Sequence, residues 1–255
     1  MGSTASERSG VAWMSAAKSG VISDGCSAIP KRDFPTERSG GMLAGMEAKP
    51  PSPFARVRRL GKRGAYDRAT IDAILDAAPC CHIGHVVGGR PVVIPTMHWR
   101  HGDTLYWHGN STSRMLETTP GEEVCLTATL IDAYVLARSG FNHSVNYRSV
   151  ACFGRPTAIA DPAAKLVALE HFVERLFPGR WATLRPPTPQ EVRATSVLFM
   201  PIAEASAKLR TDGPHDNPED LSWPVWAGLL PFTTARGKPV PDPDSPDFAH
   251  PPEGW

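Results

Sequence analysis

The sequence has no excess of charge of either sign. Its 255 residues include 27 lysines and arginines against 26 aspartates and glutamates, so the formal net charge is +1. With a balanced charge, the protein's overall electrostatic field gives no reason to expect nucleic acid or an anionic membrane as a partner. A site for an anionic ligand must therefore be local.

Long apolar runs and a disulfide framework are also missing. No stretch approaches the roughly 20 apolar residues that span a bilayer. A short apolar patch at residues 11–17 is interrupted by Lys18, which argues against a cleaved signal peptide. The five cysteines are an odd number without framework spacing. These absences predict a cytoplasmic protein in a reducing compartment, with no membrane partner.

Several common catalytic motifs cannot be found. There is no G-x-S-x-G elbow of a serine hydrolase and no G-x-G-x-x-G between a strand and a helix. The nearest imitation of a P-loop, at residues 40–46, has methionine in place of the lysine. Cys80, Cys81, His82 and His85 cluster, but their spacing is not that of a zinc site, and strand alternation places the two histidines on opposite faces. We predict no metal site.

Composition divides the chain into three parts. Residues 1–53 are rich in glycine, serine and proline and predict a flexible extension, within which Met42 and Met46 are alternative starts of the natural chain. Residues 54–232 predict one domain. Residues 233–255 form a proline-rich tail.

Within the domain, short strand patterns dominate. Asp67 or Thr70 can cap a helix that Pro79 ends, and Asp161 can cap a longer helix that begins at Pro162. The strand patterns, rich in valine, threonine and aromatic residues, lie at 81–87, 91–99, 104–108, 123–130, 134–138, 146–153 and 196–202. The series predicts a mainly β fold with flanking helices, of the antiparallel barrel type.

A candidate phosphate site follows the strand that ends at Gly109. The hydroxyls of Ser111, Thr112 and Ser113, the backbone amides at a helix start and the guanidinium of Arg114 suit a phosphate group. The alternative is that Ser111 or Ser113 only caps the helix and that Arg114 is a solvated charge.

A second cationic patch lies near residue 209. Strand alternation places Lys208 and Arg210 on one face, where two cations repel each other unless an anion lies between them. The alternative is neutralisation at the surface by acidic neighbours, namely Glu204, Asp212 or Asp220. Arg148 and Ser149 also have two interpretations: they are ligand contacts or ordinary barrel residues.

In their order along the chain, these segments resemble the pyridoxamine 5'-phosphate oxidase-like family of FMN-binding split-barrel proteins, in its flavin-nucleotide-binding branch. The resemblance covers residues 56–232. It rests on Tyr-Asp-Arg at 66–68 with Ile-Leu-Asp at 74–76, Pro95 with Trp99, Leu-Tyr-Trp-His-Gly at 105–109 followed by Ser113 and Arg114, residues 135–139 leading into His-Ser-Val-Asn-Tyr-Arg-Ser-Val at 143–150, and residues 178–180, 204–208, 210 and 224–228. It implies a homodimeric split β-barrel.

The resemblance also implies a cofactor and a place for it. FMN is the expected cofactor, with FAD, haem or a deazaflavin as alternatives, and the flavin lies between the two subunits of a homodimer. Lys208, Arg210 and Trp226 match segments that the other subunit supplies. The positions that match the family's flavin site are Pro95, Thr96, Trp99, His108, Ser111, Ser113, Arg114, Ser139, Arg148, Ser149, Lys208, Arg210 and Trp226.

By this resemblance the protein is expected to be an FMN-dependent oxidoreductase that acts on a small organic molecule. The flavin ring performs the transfer itself, so missing acid–base motifs do not argue against an enzyme. His108 is a candidate catalytic residue, and it fits equally well as a strand histidine. The alternative function is a flavin carrier, storage or sensor protein without turnover. The chain lacks the Arg-Pro-x-x-Trp core of the true vitamin B6 oxidases, so B6 oxidation is not expected.

Overall fold

Two antiparallel sheets organise residues 48–244, the part of the chain that the computed structural model describes. Most of the predicted extension at 1–53 lies outside this part, as do residues 245–255 of the predicted tail at 233–255, and the boundaries of both stay predictions. Four 3-10 turns, at Gly61–Arg63, Gly140–Asn142, Trp181–Thr183 and Pro218–Asp220, connect the longer elements. The strands and helices in chain order are β1 (Gly64–Ala65), α1 (Arg68–Ala77), β2 (Cys81–Val87), β3 (Arg90–Thr96), β4 (His98–His101), β5 (Thr104–Asn110), α2 (Arg114–Thr118), β6 (Val124–Leu136), β7 (Ser144–Gly154), β8 (Thr157–Ala158), α3 (Pro162–Leu176), α4 (Pro189–Ala194), β9 (Thr195–Pro201), β10 (Glu204–Arg210) and β11 (Gly228–Pro231).

The larger sheet has seven strands in the order β1-β10-β7-β6-β2-β3, with β11 paired to β6. The smaller sheet has four strands in the order β4-β5-β9-β8. Neighbouring strands pair in antiparallel fashion in both sheets. This arrangement confirms the predicted mainly β, split-barrel architecture with flanking helices.

The two predicted helices begin where their capping residues lie. The side chain of Asp67 accepts a hydrogen bond from the Thr70 amide at 2.8 Å, and Asp161 accepts one from Ala164 at 2.8 Å. Each bond satisfies a backbone donor that the first turn of a helix leaves without an intrahelical partner. The sequence prediction of both helix starts is therefore confirmed.

Two strand predictions need correction. The single strand expected at 91–99 is two strands, because the chain leaves the larger sheet after Thr96 and enters the smaller one at His98. The two strands expected at 123–130 and 134–138 are the single strand β6. Its register shifts between Ile131 and Ala133, where one extra residue forms a bulge and breaks the alternation that marks a continuous strand.

The main core lies between α1 and the inner faces of the sheets. Its fully buried side chains include Ile71, Ile83, Leu105, Trp107, Leu126 and Leu198. Burial of this many large apolar groups is the main favourable contribution to folding. Within residues 48–244, no helix is long and apolar enough to cross a bilayer.

The cysteines of the described part are free thiols. Cys80, Cys81, Cys125 and Cys152 form no disulfide. Burial raises the pKa of the Cys81 and Cys152 thiols to about 12, so both stay protonated at neutral pH. Since the thiolate is the nucleophilic form, these two cysteines serve as small core residues.

Candidate functional site

A fixed turn joins β5 to α2. The side-chain oxygen of Asn110 accepts hydrogen bonds from the amide and the hydroxyl of Thr112, both at 2.9 Å. The amide of Ser113 donates to the Asn110 carbonyl at 2.9 Å, and the amide of Ser111 donates to the Ala194 carbonyl of α4 at 2.8 Å. The turn is therefore held by its own side chains and by a neighbouring helix, without a ligand.

The two side chains that the phosphate hypothesis needs are not used by the fold. Ser113 occupies the N-cap position of α2, yet its hydroxyl makes no capping hydrogen bond. Arg114 is exposed and has no ion pair or hydrogen bond from its side chain to any residue between 48 and 244. Because α2 has only five residues, its dipole adds little, and the site depends on these side chains. The capping alternative for Ser113 is not observed.

Gly109 brings the short helix close to the strand. A Cβ atom at this position would lie 3.0 Å from the Cδ1 atom of Leu116, which is buried in the core. A side chain there would push α2 away from β5. The glycine that precedes the candidate site is thus explained by packing.

His108 packs under α3. Its ring lies edge-on against Phe172 at 4.7 Å and near Trp99 at 5.6 Å between ring centroids. Burial lowers the pKa of His108 below its ordinary value, so the ring is neutral at physiological pH. Its Nδ1 atom is enclosed and has no hydrogen-bond partner in the described structure. These contacts match the strand-histidine alternative.

The side chains of Trp99 and Arg210 pack against, or bond to, other residues of the same protomer. Trp99 is 1% exposed and stacks on Tyr106 at 5.4 Å in a small second core. Arg210 is 3% exposed and donates to the side chain of Asn146 and to the carbonyls of Asp212 and Gly213. Neither side chain is available to a ligand in the described protomer, in contrast to the sequence hypothesis that placed both at the flavin.

Lys208 and Ser149 face each other across neighbouring strands. The hydroxyl of Ser149 donates to the Lys208 carbonyl at 3.2 Å, while the ammonium group of Lys208 has no ion pair among residues 48–244. Arg148, by contrast, forms a two-pronged pair with Asp132 at 2.7 to 3.2 Å. Of the cations predicted on the larger sheet, Lys208 is thus the one that the described ion pairs and side-chain hydrogen bonds leave for an anion.

The remaining predicted positions lie at the surface. Pro95 is exposed and Thr96 is half-buried at the end of β3. The Ser139 hydroxyl accepts a hydrogen bond from the amide of Phe141 at 3.3 Å. Trp226 is 63% exposed, and its indole folds over Gly228, where a Cβ would lie only 2.7 Å from the ring. Arg114 begins α2, which follows β5 of the smaller sheet, whereas Lys208 lies on β10 of the larger sheet.

Sequence reasoning missed a cavity of about 800 Å³ beside the end of β3. It lies between the C-terminal ends of α1 and α3, the middle of β6 and residues 232–236. Met97, Arg175 and Arg236 are among its lining residues. These positions are far apart in the chain, so no local motif marks them.

From the spacing of the cysteines and histidines at 80–85, the sequence analysis predicted no metal site. Within the part of the chain that the structure describes, no group of three or more histidine, cysteine, aspartate or glutamate side chains is placed to hold a metal ion. The stacked rings of His101 and His171, 3.9 Å apart, are a pair without a third ligand.

Comparison with known proteins identifies the family. The family model described as pyridoxamine 5'-phosphate oxidase matches residues 67–209, more than half of the chain. This chain belongs to that family. The match includes the β5–α2 turn, Ser149 and Lys208, and it confirms the resemblance inferred from the sequence. No curated protein matches the chain.

Two solved structures extend the match beyond the family model. The flavocytochrome Anf3 from Azotobacter vinelandii is 42% identical with a TM-score of 0.78, over 81% of this chain and 96% of that one. The FAD and heme binding protein from Mycobacterium smegmatis is 35% identical with a TM-score of 0.72, over 75% of this chain and 94% of that one. This member of the pyridoxamine 5'-phosphate oxidase family therefore resembles both over most of their length.

Proposed function

We propose that the protein binds a flavin nucleotide, FMN in the first instance, with a phosphate group against Ser113 and Arg114. The observation that carries the proposal is that these two side chains, at the start of α2, form no capping bond and no ion pair with the described residues. A guanidinium and a hydroxyl give a phosphate charge-assisted hydrogen bonds. The family supports a flavin. FAD, the flavin named for the Mycobacterium smegmatis protein, is the alternative to FMN.

The protein also binds haem under this proposal. Both solved relatives carry haem or cytochrome in their names, at identities of 42% and 35% over most of their length. A flavin can exchange hydride or electrons with a partner, and haem iron exchanges single electrons. Under this proposal the protein is an FMN-dependent oxidoreductase that acts on a small organic molecule. The residues of the chain bind and orient the cofactor and exclude water from it.

The first test is the absorption spectrum and the cofactor mass of the purified protein. We expect a yellow or red-brown protein with about one flavin per chain, which reduced pyridine nucleotide or a chemical reductant bleaches and a small electron acceptor re-oxidises. A bound flavin that exchanges no electrons with any donor would favour the carrier or sensor function. Protein that contains no flavin and takes up none when FMN or FAD is added would refute the proposal, and a deazaflavin would be identified by its mass.

The site is completed by a second copy of the chain. Arg114 begins α2 after the smaller sheet, and Lys208 lies on β10 of the larger sheet. A symmetric dimer can bring such groups of two protomers to one ligand. The β2–β3 hairpin exposes Val86 at 63% and Val93 at 60%, which is unusual for apolar side chains at the edge of a sheet. We place this homodimer in the cytoplasm, where the free thiols would stay reduced.

A charge on the exposed hairpin tests the dimer. The substitution Val93→Asp is expected to convert a dimer into monomers and to reduce flavin occupancy, because a carboxylate in an apolar interface is strongly unfavourable. Sedimentation velocity measures the mass. Val167→Asp, on the exposed side of α3 where the side chain is 51% exposed, is the control and should stay dimeric. A wild-type protein that sediments as a monomer would contradict the dimer.

A further inference from the structure

A strongly cationic segment precedes β1. Residues 48–66 contain six lysines and arginines and no aspartate or glutamate, although the whole chain is nearly neutral. Five of these cations lie between residues 56 and 63. Neither the proposed phosphate site nor the cavity beside β3 includes any of them. Cations this close repel one another, and a bound anion would relieve the repulsion.

Most of these cations have no partner within the protein. Four exposed side chains form no ion pair or hydrogen bond with any residue between 48 and 244, namely those of Arg56, Arg58, Arg59 and Lys62. Arg63 differs from them, because it is half-buried and lies 3.8 Å from the carboxylate of Asp212. Four positive charges are therefore left to solvent or to a ligand.

The backbone of this segment is held by the fold. The amide of Val57 donates a hydrogen bond to the Tyr66 hydroxyl at 2.9 Å. Gly64 packs so closely on Val57 that a Cβ atom would lie 3.0 Å from the Val57 Cβ. The amide of Ala55, a residue that is 2% exposed, donates to the Ser52 hydroxyl at 3.0 Å. A ligand of these cations therefore does not have to order the chain that carries them, which lowers the cost of binding.

The segment encloses a recess of about 680 Å³, which we call the arginine recess. Its lining residues are Pro50, Pro51, Ser52, Pro53, Arg56, Val57, Arg58 and Gly61. None of these is an aspartate or a glutamate. The volume lies within the range of about 300 to 1,000 Å³ that is common for small-molecule sites. The recess thus favours a compact ligand over a polymer.

Two arginines set the chemistry of the arginine recess. Arg56 and Arg58 are the only charged residues among those that line it. A guanidinium donates two parallel hydrogen bonds to a phosphate, a geometry that lysine cannot provide. Two guanidinium groups at one recess therefore suit a ligand with two linked phosphates, and the remaining volume suits the nucleoside that carries them.

The arginine recess lies near the border of the larger sheet that carries Lys208. Gly64 of β1 pairs with Lys208 of β10, and Arg63 precedes this pair directly. The positive surface thus continues from the recess toward the cation that we proposed as a flavin contact. A nucleotide held at the recess would approach the flavin along this border.

We infer that the arginine recess binds the pyrophosphate group of a nucleotide, with Arg56 and Arg58 as its phosphate contacts. Two ligands of an enzyme of the proposed kind share this chemistry: a reduced pyridine dinucleotide as electron donor, and FAD through its ADP half. Binding of a pyrophosphate does not depend on the proposed function, whereas the choice between these two ligands rests on it.

The experiment titrates ADP into the purified full chain, loaded with FMN, by calorimetry. We expect ADP to bind at least about ten-fold more tightly than AMP, because AMP lacks the second phosphate. Arg56→Ala with Arg58→Ala should weaken ADP binding at least about ten-fold and leave thermal unfolding unchanged, since neither side chain has a partner in the described structure. Arg236→Ala with Lys238→Ala removes the same charge from the segment after β11 and should bind ADP as the wild type does.

Two further measurements identify the natural ligand. A raised KM for reduced pyridine dinucleotide in the Arg56→Ala, Arg58→Ala protein, with unchanged flavin content, assigns the recess to the electron donor. Loss of FAD but not of FMN in the same variant assigns it to the cofactor.

Three results would overturn the inference: a wild-type chain that binds no ADP, a folded Arg56→Ala, Arg58→Ala protein that binds ADP unchanged, or a short DNA duplex that binds this segment more tightly than ADP. A chain that binds ADP at the recess but takes up no flavin would refute the proposed function and leave this inference intact.

Discussion

Replacing Arg114 and Lys208 together by alanine is expected to lower the affinity for flavin by several kcal/mol. Each charge-assisted hydrogen bond to a phosphate contributes about 1.5 to 3 kcal/mol, and neither cation has a carboxylate partner in the described structure that would take over its role. Titration of flavin fluorescence with the purified protein measures the change. Each single variant should show a part of the loss, because the two cations act on the same anion.

The control for this experiment is a second double variant with the same change of charge. Arg236→Ala with Lys238→Ala removes two exposed cations from the segment after β11, away from the β5–α2 turn and from β10. It should bind flavin as the wild type does. Thermal unfolding of both double variants shows whether they are folded. Unchanged flavin affinity in a folded Arg114→Ala, Lys208→Ala protein would contradict the phosphate site.

The substitution Trp99→Ala is expected to reduce the free energy of unfolding by about 3 to 5 kcal/mol, the range for deletion of a large aromatic side chain from a core. Trp99 is 1% exposed, stacks on Tyr106 and contacts Phe172 at 5.1 Å between ring centroids. Its removal would leave a cavity between the smaller sheet and α3. Denaturant unfolding monitored by circular dichroism measures the loss.

A graded series separates this structural role from a flavin contact. Trp99→Phe keeps an aromatic ring and should lose less stability than Trp99→Ala. It should also keep the flavin affinity of the wild type. Trp223→Ala removes an indole that is 65% exposed, and a change within about 0.5 kcal/mol is expected, as for most surface substitutions. A stable Trp99→Ala protein with impaired flavin binding would contradict the structural role and support the sequence hypothesis that Trp99 contacts the flavin.

Local signals in the sequence were sufficient for much of the fold. The caps at Asp67 and Asp161 are decided by residues within one helical turn, so their prediction needs no tertiary information. The glycine turn between β2 and β3 is equally local, since Gly88 and Gly89 have φ angles of 56° and 76° that favour glycine. The ordered series of such signals also led to the family.

Long-range packing explains what the sequence could not provide. The chain crosses from the larger to the smaller sheet at Met97, and this crossing depends on which sheet each half of the strand pattern at 91–99 pairs with. Arg210 carries a side chain typical of a ligand contact, but carbonyls two and three residues away and the side chain of Asn146 accept hydrogen bonds from its two terminal nitrogens. Trp99 is hidden by Phe172 of α3, which lies 73 positions later in the chain. None of these outcomes can be deduced from spacing within a single segment.

The two prolines of β3 have a consequence for the behaviour of the protein at high concentration. β3 ends the larger sheet, and Pro91 and Pro95 are paired with Val86 and His82 of β2. A proline has no amide hydrogen, so the outer border of this strand is short of the donors that a further chain would need. Copies of the protein can thus meet through apolar side chains of the hairpin without extending into the continuous cross-strand ladders from which fibrils grow.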